Sequence, residues 1–211
     1  LGDSTAAIAE GYRLGFAALG LPEPTVEQVR TTVGMTLENG FTHLTGETDP
    51  VRQAAFVHQF HITVGTEAHG PGRELMIRGT RLLPGAAELL SALKGAGVHT
   101  AIVSTKPGDT LRQIFAHQGK LELLELVVGG DEVSRSKPDP EGVELALARL
   151  GLAAERVLFC GDTVIDAATA QAGGCAFCAV LNGTTPREAF RDYPHVHIAD
   201  DLPGLQRWLN G

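Results

Sequence analysis

A chain of 211 residues with 43% apolar and 20% charged side chains can bury a sizeable core and has the balance of an ordinary globular protein. A formal net charge of −8 opposes binding to nucleic-acid phosphates or anionic lipid. No stretch approaches the ~20 apolar residues of a membrane span, and no charged-then-apolar signal opens the chain, so a cytoplasmic protein without nucleic-acid or membrane partners is expected.

Residues 4–75 read as helices only. Asp3 or Ser4 is placed to cap a helix running to Leu19, with Gly20 closing it. Thr25-Val-Glu-Gln opens a second helix. Val33-Gly34-Met35 interrupts before a third, which carries Leu37, Phe41 and Leu44. Asp49-Pro50 starts a long one, whose apolar side holds Val51, Ala55, Phe56, Phe60 and Val64. Gly70-Pro71-Gly72 reads as a linker.

From Pro84 the pattern becomes an alternation. Helix 84–94 precedes strand 98–103, helix 107–117 precedes strand 126–128, and helix 140–150 precedes strand 157–160. Helix 164–172 then leads to strand 176–181, a short strand at 196–198 and a last helix at 202–209. Short apolar strands alternating with amphipathic helices predict a parallel sheet covered on both faces. The expected fold class is therefore a doubly wound α/β core with an all-helical insertion. The expected domains are a helical cap at 4–75 and a core made of 1–3 and 76–211.

The cysteines are Cys160, Cys175 and Cys178, an odd and low count that argues against a disulfide framework. Cys175-Ala-Phe-Cys178 matches C-x-x-C, but a redox pair of that kind precedes a helix, whereas Cys178 falls inside a predicted strand. Buried thiols are the expectation.

Ligands of open parallel sheets bind at the carboxyl ends of the strands, and three polar clusters fall there. Ser104-Thr105-Lys106-Pro107 follows the strand ending at Val103; it can form an anion site, or simply cap the next helix. Ser136-Lys137-Pro138-Asp139-Pro140 precedes a helix. Its prolines restrict the backbone around Lys137, one of four lysines in the chain, whose ammonium can meet a phosphate or stand exposed on a loop. Gly161-Asp162-Thr163-Val164-Ile165-Asp166 follows the strand ending at Cys160. Two acids four apart at such a turn suit a hard cation such as Mg²⁺; helix capping accounts easily for one of them and less easily for both.

Taken together, Ser104, Lys137-Pro-Asp-Pro and Gly161-Asp-Thr-Val-Ile-Asp166 resemble the second, third and fourth motifs of haloacid dehalogenase-like hydrolases. Leu1-Gly-Asp-Ser4 resembles the tail of their first motif, Asp-x-Asp-Gly-Thr-Leu-x-Asp-Ser. The likeness covers nearly the whole chain, and the subfamily it resembles most is that of the phosphoglycolate phosphatases.

The resemblance implies an Mg²⁺-dependent phosphatase acting on a small phosphorylated metabolite, through attack by an aspartate of the first motif. In that scheme Ser104 and the backbone at Thr105 hold phosphoryl oxygens and Lys137 neutralises charge. Asp162 ligates Mg²⁺, Asp166 supports it from behind, and the cap turn Gly34-Met35-Thr36 reads the substrate. It also implies an apolar strand upstream of Leu1 that carries Asp-x-Asp-Gly-Thr between the strands ending at Ser104 and Asp162. A monomer or homodimer is expected.

Weaker signals are His58 and His61, one helical turn apart in the cap, and Arg78 and Arg81 near the hinge. An inorganic pyrophosphatase of the same superfamily, or a non-catalytic binding protein if the nucleophile motif is truly absent, are the competing readings. No lysine precedes Lys94, which argues against relatives that need a cap lysine.

Overall fold

The computed structural model describes residues 1–33, 35–64 and 71–211. Two compact units divide the chain, one formed by Gly2–Arg81 and the other by Leu1 with Leu82–Gly211.

The first unit opens with strand β1 (Gly2–Asp3) and continues through helices α1 (Thr5–Ala18), α2 (Val26–Arg30), α3 (Leu37–Thr45), α4 (Pro50–Val64) and α5 (Pro71–Gly79). Local chemistry sets the starts of these helices. Asp3 takes the Thr5 N–H at 2.8 Å, while the Ser4 hydroxyl instead bonds Thr80 at 2.9 Å. Thr25 and Gln28 form a reciprocal capping box, and Thr36 accepts the Asn39 N–H. Gly20 follows α1 with φ of 68°, which an L side chain rarely adopts. The core is aromatic: Tyr12, Phe16, Phe41, Phe56 and Phe60 are buried together, with Phe41 stacked on Phe56 at a centroid distance of 5.1 Å.

Two expectations need correction here. Val51 is 73% exposed, since it lies in the first turn of α4, short of the aromatic cluster that collects Phe56, Phe60 and Val64. Pro71 and Gly72 open α5 instead of forming a linker, because a proline in the first turn loses no helical hydrogen bond.

The second unit alternates as the pattern predicts. After β2 (Arg81–Leu82) come α6 (Ala86–Gly95), β3 (Ala101–Val103), α7 (Gly108–His117), β4 (Leu126–Val128), α8 (Glu141–Leu150) and β5 (Leu158–Gly161). The chain then runs through α9 (Val164–Ala172), β6 (Ala176–Val180), β7 (His197–Ala199) and α10 (Leu202–Leu209). Strand β3 begins later than periodicity suggests. Thr100 N–H and His99 are held by the Glu125 carboxylate at 3.1 and 2.6 Å instead of entering the ladder.

Strand β3 pairs in parallel with β4, and β5, β6 and β7 form a parallel three-stranded sheet. Alternate residues of β6 face opposite sides. Cys178 and Val180 pack with Leu89 of α6 and Leu205 of α10. Phe177 and Ala179 pack with Val143 of α8 and Ala167 of α9. This is a Rossmann-like α/β layering with an all-helical unit attached in sequence. Among the described residues β3 and β5 share no ladder, so each is paired with a strand on one side only.

The thiols are free. Cys175 and Cys178 are buried, and Cys160 is exposed in register beside Cys178. Cys178 lies inside β6, which removes the helix N-terminus that a reactive C-x-x-C needs.

Candidate active site

The polar clusters occupy the carboxyl ends of the parallel strands. Ser104 follows β3, and its N–H still donates to the Val128 carbonyl at 3.1 Å, so the ladder fixes its backbone. Its hydroxyl accepts the Lys106 N–H at 3.2 Å, closing a tight turn. Neither Ser104 nor Thr105 caps α7: Pro107 holds the cap position without a side-chain bond, and the Gly108 N–H goes to Asp131 at 2.8 Å. The plain capping explanation for this cluster is therefore absent.

Lys137 sits in the loop before α8. Glu141 staples that loop by accepting the Ser134 and Arg135 backbone N–H groups, both at 2.9 Å, and the Ser134 hydroxyl at 2.8 Å. These bonds, the Ser134 N–H first and its hydroxyl next, hold the Glu141 carboxyl down to about 2. Ser104, Thr105, Gly130, Ser136, Lys137 and Asp139 line one cleft, which brings the first two clusters together.

The third cluster divides its two acids between different tasks. Thr163, not Asp162, caps α9; its hydroxyl accepts the Asp166 N–H at 3.2 Å and donates to Asp166 Oδ2 at 2.7 Å. The Thr163 N–H donates to the same oxygen at 3.1 Å. The other oxygen, Oδ1, receives Lys137 Nζ at 2.6 Å, with the two side chains only 18% and 7% exposed. Both oxygens of Asp166 are thus engaged, and Lys137 is anchored across the gap between two strand ends. Gly161 makes room for this, because a Cβ there would overlap the Asp166 side chain.

Asp162 is exposed and its carboxylate has no hydrogen-bond or ion-pair partner among the described residues. A Cβ on Gly183, just beyond β6, would overlap its Oδ2, so glycine sets how far that carboxylate can lean toward β6.

Two features escaped the sequence reading. Lys106 is partly buried, and its amine is pushed below the usual lysine range, chiefly by burial and then by Lys137, with Asp162 acting in the opposite sense. The only sequence signal was its place two residues beyond a strand end. Gly183 had none, since its role comes from the neighbouring strand. Leu1 also lies within electrostatic range of Asp162, Lys106 and Asp166, while its carbonyl accepts the Leu83 N–H at 2.9 Å.

The remaining expected site residues lie elsewhere. Met35 is exposed, Thr36 caps α3, and Gly34 falls outside the described residues. His58 and His61 lie on α4, and no group of three metal-ligating side chains occurs among the described residues. Arg78 pairs with Glu74 at 2.6 Å, and Arg81 stands exposed in β2.

A parallel α/β sheet with a strand-end serine, a lysine locked to one aspartate and a second aspartate left open defines a hydrolase-like site. Residues 1–180 match the family described as haloacid dehalogenase-like hydrolase, and the chain belongs to that family. It is 31% identical over 204 residues to a phosphoglycolate phosphatase of Rhodobacter capsulatus, covering 90% of this chain and 83% of that protein. It is 38% identical over 133 residues to a phosphoglycolate phosphatase of Cereibacter sphaeroides, covering 62% of this chain and 60% of that one. In that second comparison the chain spans little more than half of its relative's length. A Bacteroides fragilis crystal structure, provisionally assigned to the haloacid dehalogenase-like hydrolases, superposes with a TM-score of 0.81 at 32% identity, over 97% of this chain and 94% of that one.

Proposed function

We propose that the protein is a phosphoric monoester hydrolase that acts on a small, phosphoglycolate-like ester with the help of Mg²⁺. The observation that carries this reading is the split role of the two acids: Asp166 locks Lys137 in place while Asp162 keeps an open carboxylate. A hard cation that takes one or two protein carboxylates, and fills its other positions with water and phosphate, suits that arrangement. Asp162 would hold the ion, and Asp166 would hold the site from behind through Thr163 and Lys137. When bound, Mg²⁺ supplies charge neutralisation for the phosphoryl group.

The chain's own residues contribute the rest. The Ser104 hydroxyl and the backbone at Thr105 are assigned to the phosphoryl oxygens, in the cleft they share with Lys137. Lys137, fixed by Asp166, offers its remaining N–H donors to the same group and lowers its charge before transfer. The attacking aspartate is assigned to a strand seated between β3 and β5, the two strands that lack a partner on their second side. Its carboxylate would take the phosphoryl group, and water would release it. Gly34, Met35 and Thr36 of the helical unit are assigned to substrate reading on the strength of the resemblance alone.

The test is phosphate release from 2-phosphoglycolate by the natural full-length chain, with and without Mg²⁺. Activity is expected with the ion and not in EDTA. Asp162→Asn, which keeps the shape and removes the anionic ligand, is expected to lose at least a hundredfold in kcat/KM, about 2.7 kcal/mol. Full activity of that variant, or a tenfold preference for inorganic pyrophosphate, overturns the reading.

A further inference from the structure

We infer that Lys106 is the residue that binds the carboxylate of the substrate, making the site selective for phosphomonoesters that carry a second acid group close to the phosphate. The inference rests on the phosphatase reading above and adds to it a specificity-determining residue.

The first observation concerns the backbone. The Lys106 N–H donates to Ser104 Oγ at 3.2 Å, and the Lys106 carbonyl accepts the Gly130 N–H at 3.0 Å. The turn is pressed against the strand end that follows β4, so closely that a Cβ on Gly130 would overlap the Thr105 carbonyl. The origin of the Lys106 side chain is therefore fixed from both sides, as a binding group requires.

The second observation concerns the amine. Lys137 is neutralised at 2.6 Å by Asp166. Lys106 Nζ has no hydrogen-bond or ion-pair partner among the described residues, although the side chain is partly buried. Lys137 and Asp162 both lie within its electrostatic range. A partly desolvated ammonium without a counter-ion, beside a phosphoryl site, is unfavourable until an anion arrives. That makes it a receptor for one.

Two considerations point to a carboxylate on the substrate in place of the transferring phosphoryl group. The phosphoryl side of the cleft already holds Ser104, Thr105 and Lys137. Lys106 leaves the turn two residues beyond Ser104, on the way to α7, and so stands beside that set as an additional cation. An ammonium is a compact point charge with three donors, which suits a carboxylate as well as a phosphate. A short hydroxy-acid ester carries both acids within reach of one another.

The experiment is a binding titration, so it does not depend on turnover. Wild type, Lys106→Met and Lys106→Arg are titrated with 3-phosphonopropionate, which carries both acids, and with propylphosphonate, which carries only one. Wild type is expected to prefer 3-phosphonopropionate at least tenfold. Lys106→Met should abolish that preference while propylphosphonate binds as before, which also shows that the variant is folded; Lys106→Arg should keep most of it. Equal weakening of both ligands by Lys106→Met overturns the inference, because the amine would then serve the phosphoryl group. No change, or no preference in wild type, overturns it as well. Turnover of 2-phosphoglycolate by wild type is a separate readout. If it fails while the binding preference persists, the phosphatase reading falls and the carboxylate site stands.

Discussion

At the scale of single residues, the chemistry depends on which carboxylates are occupied and which are open. Position in the sequence showed that Asp162 and Asp166 lie at a strand end. It could not show that Asp166 is consumed by a lysine 29 residues away, because that pairing exists only once β5 and the loop before α8 are side by side. Lys106 was hidden for the same reason: a lysine in a loop reads as solvated until its surroundings are known. Glu141 gives this scale its pH dependence. Its carboxyl stands at about 2 in the folded protein against 4.5 for the free group. A carboxyl depressed by folding contributes stability above its unfolded value and loses it as pH falls through the folded one. Glu141→Gln is therefore expected to be less stable than wild type at neutral pH, with the difference shrinking below 4.5 and nearly gone at about 2. Urea midpoints across that range check this, and a gap that does not change with pH would contradict it.

At the scale of elements, the alternation of helices and strands was readable because each strand is short and apolar and each helix has a clear end. The boundaries that moved did so through side-chain competition with the backbone, as with Glu125 at the start of β3. Helix α9 joins stability to the site, since its cap and the anchor of Lys137 meet in one residue. Thr163→Val keeps the volume but removes the hydroxyl that accepts the Asp166 N–H and donates to Asp166 Oδ2. The cap is worth about 1 kcal/mol, and a hydrogen bond to a charged group about 1.5–3 kcal/mol. A loss of roughly 1–3 kcal/mol in urea denaturation is expected, together with lower kcat, since Asp166 then holds Lys137 less firmly. An unaltered midpoint would mean that the capping box contributes nothing.

At the scale of the whole molecule, the chain carries two separate cores, one built from aromatic rings and one from a parallel sheet. Separate cores permit separate unfolding transitions. Gly11 on α1 is the point to press, because a Cβ there would overlap Val64 and Phe60 of α4. Gly11→Ala is expected to cost the helical unit about 1–3 kcal/mol through overpacking. Trp208, the chain's only tryptophan, lies in α10 of the other unit, stacked on His197 at 4.6 Å. The far-ultraviolet circular dichroism transition of the variant should therefore begin at lower urea while the Trp208 fluorescence midpoint stays in place. Coincident shifts in both signals would show that the two cores unfold as one.

The unshared sides of β3 and β5 also bear on how this protein behaves in a crowded solution. A strand with a free row of N–H and C=O groups is a template for any extended peptide, including a second copy of itself. Electrostatic repulsion at a net charge of −8 opposes such encounters, but only over a screening distance of about 8 Å at physiological salt and about 3 Å at 1 M. Salt that leaves the aromatic core intact thus removes the barrier that keeps two sheets apart. Clumping would then start at the strand ends that hold the catalytic groups and spread by backbone pairing, with the helical unit a bystander.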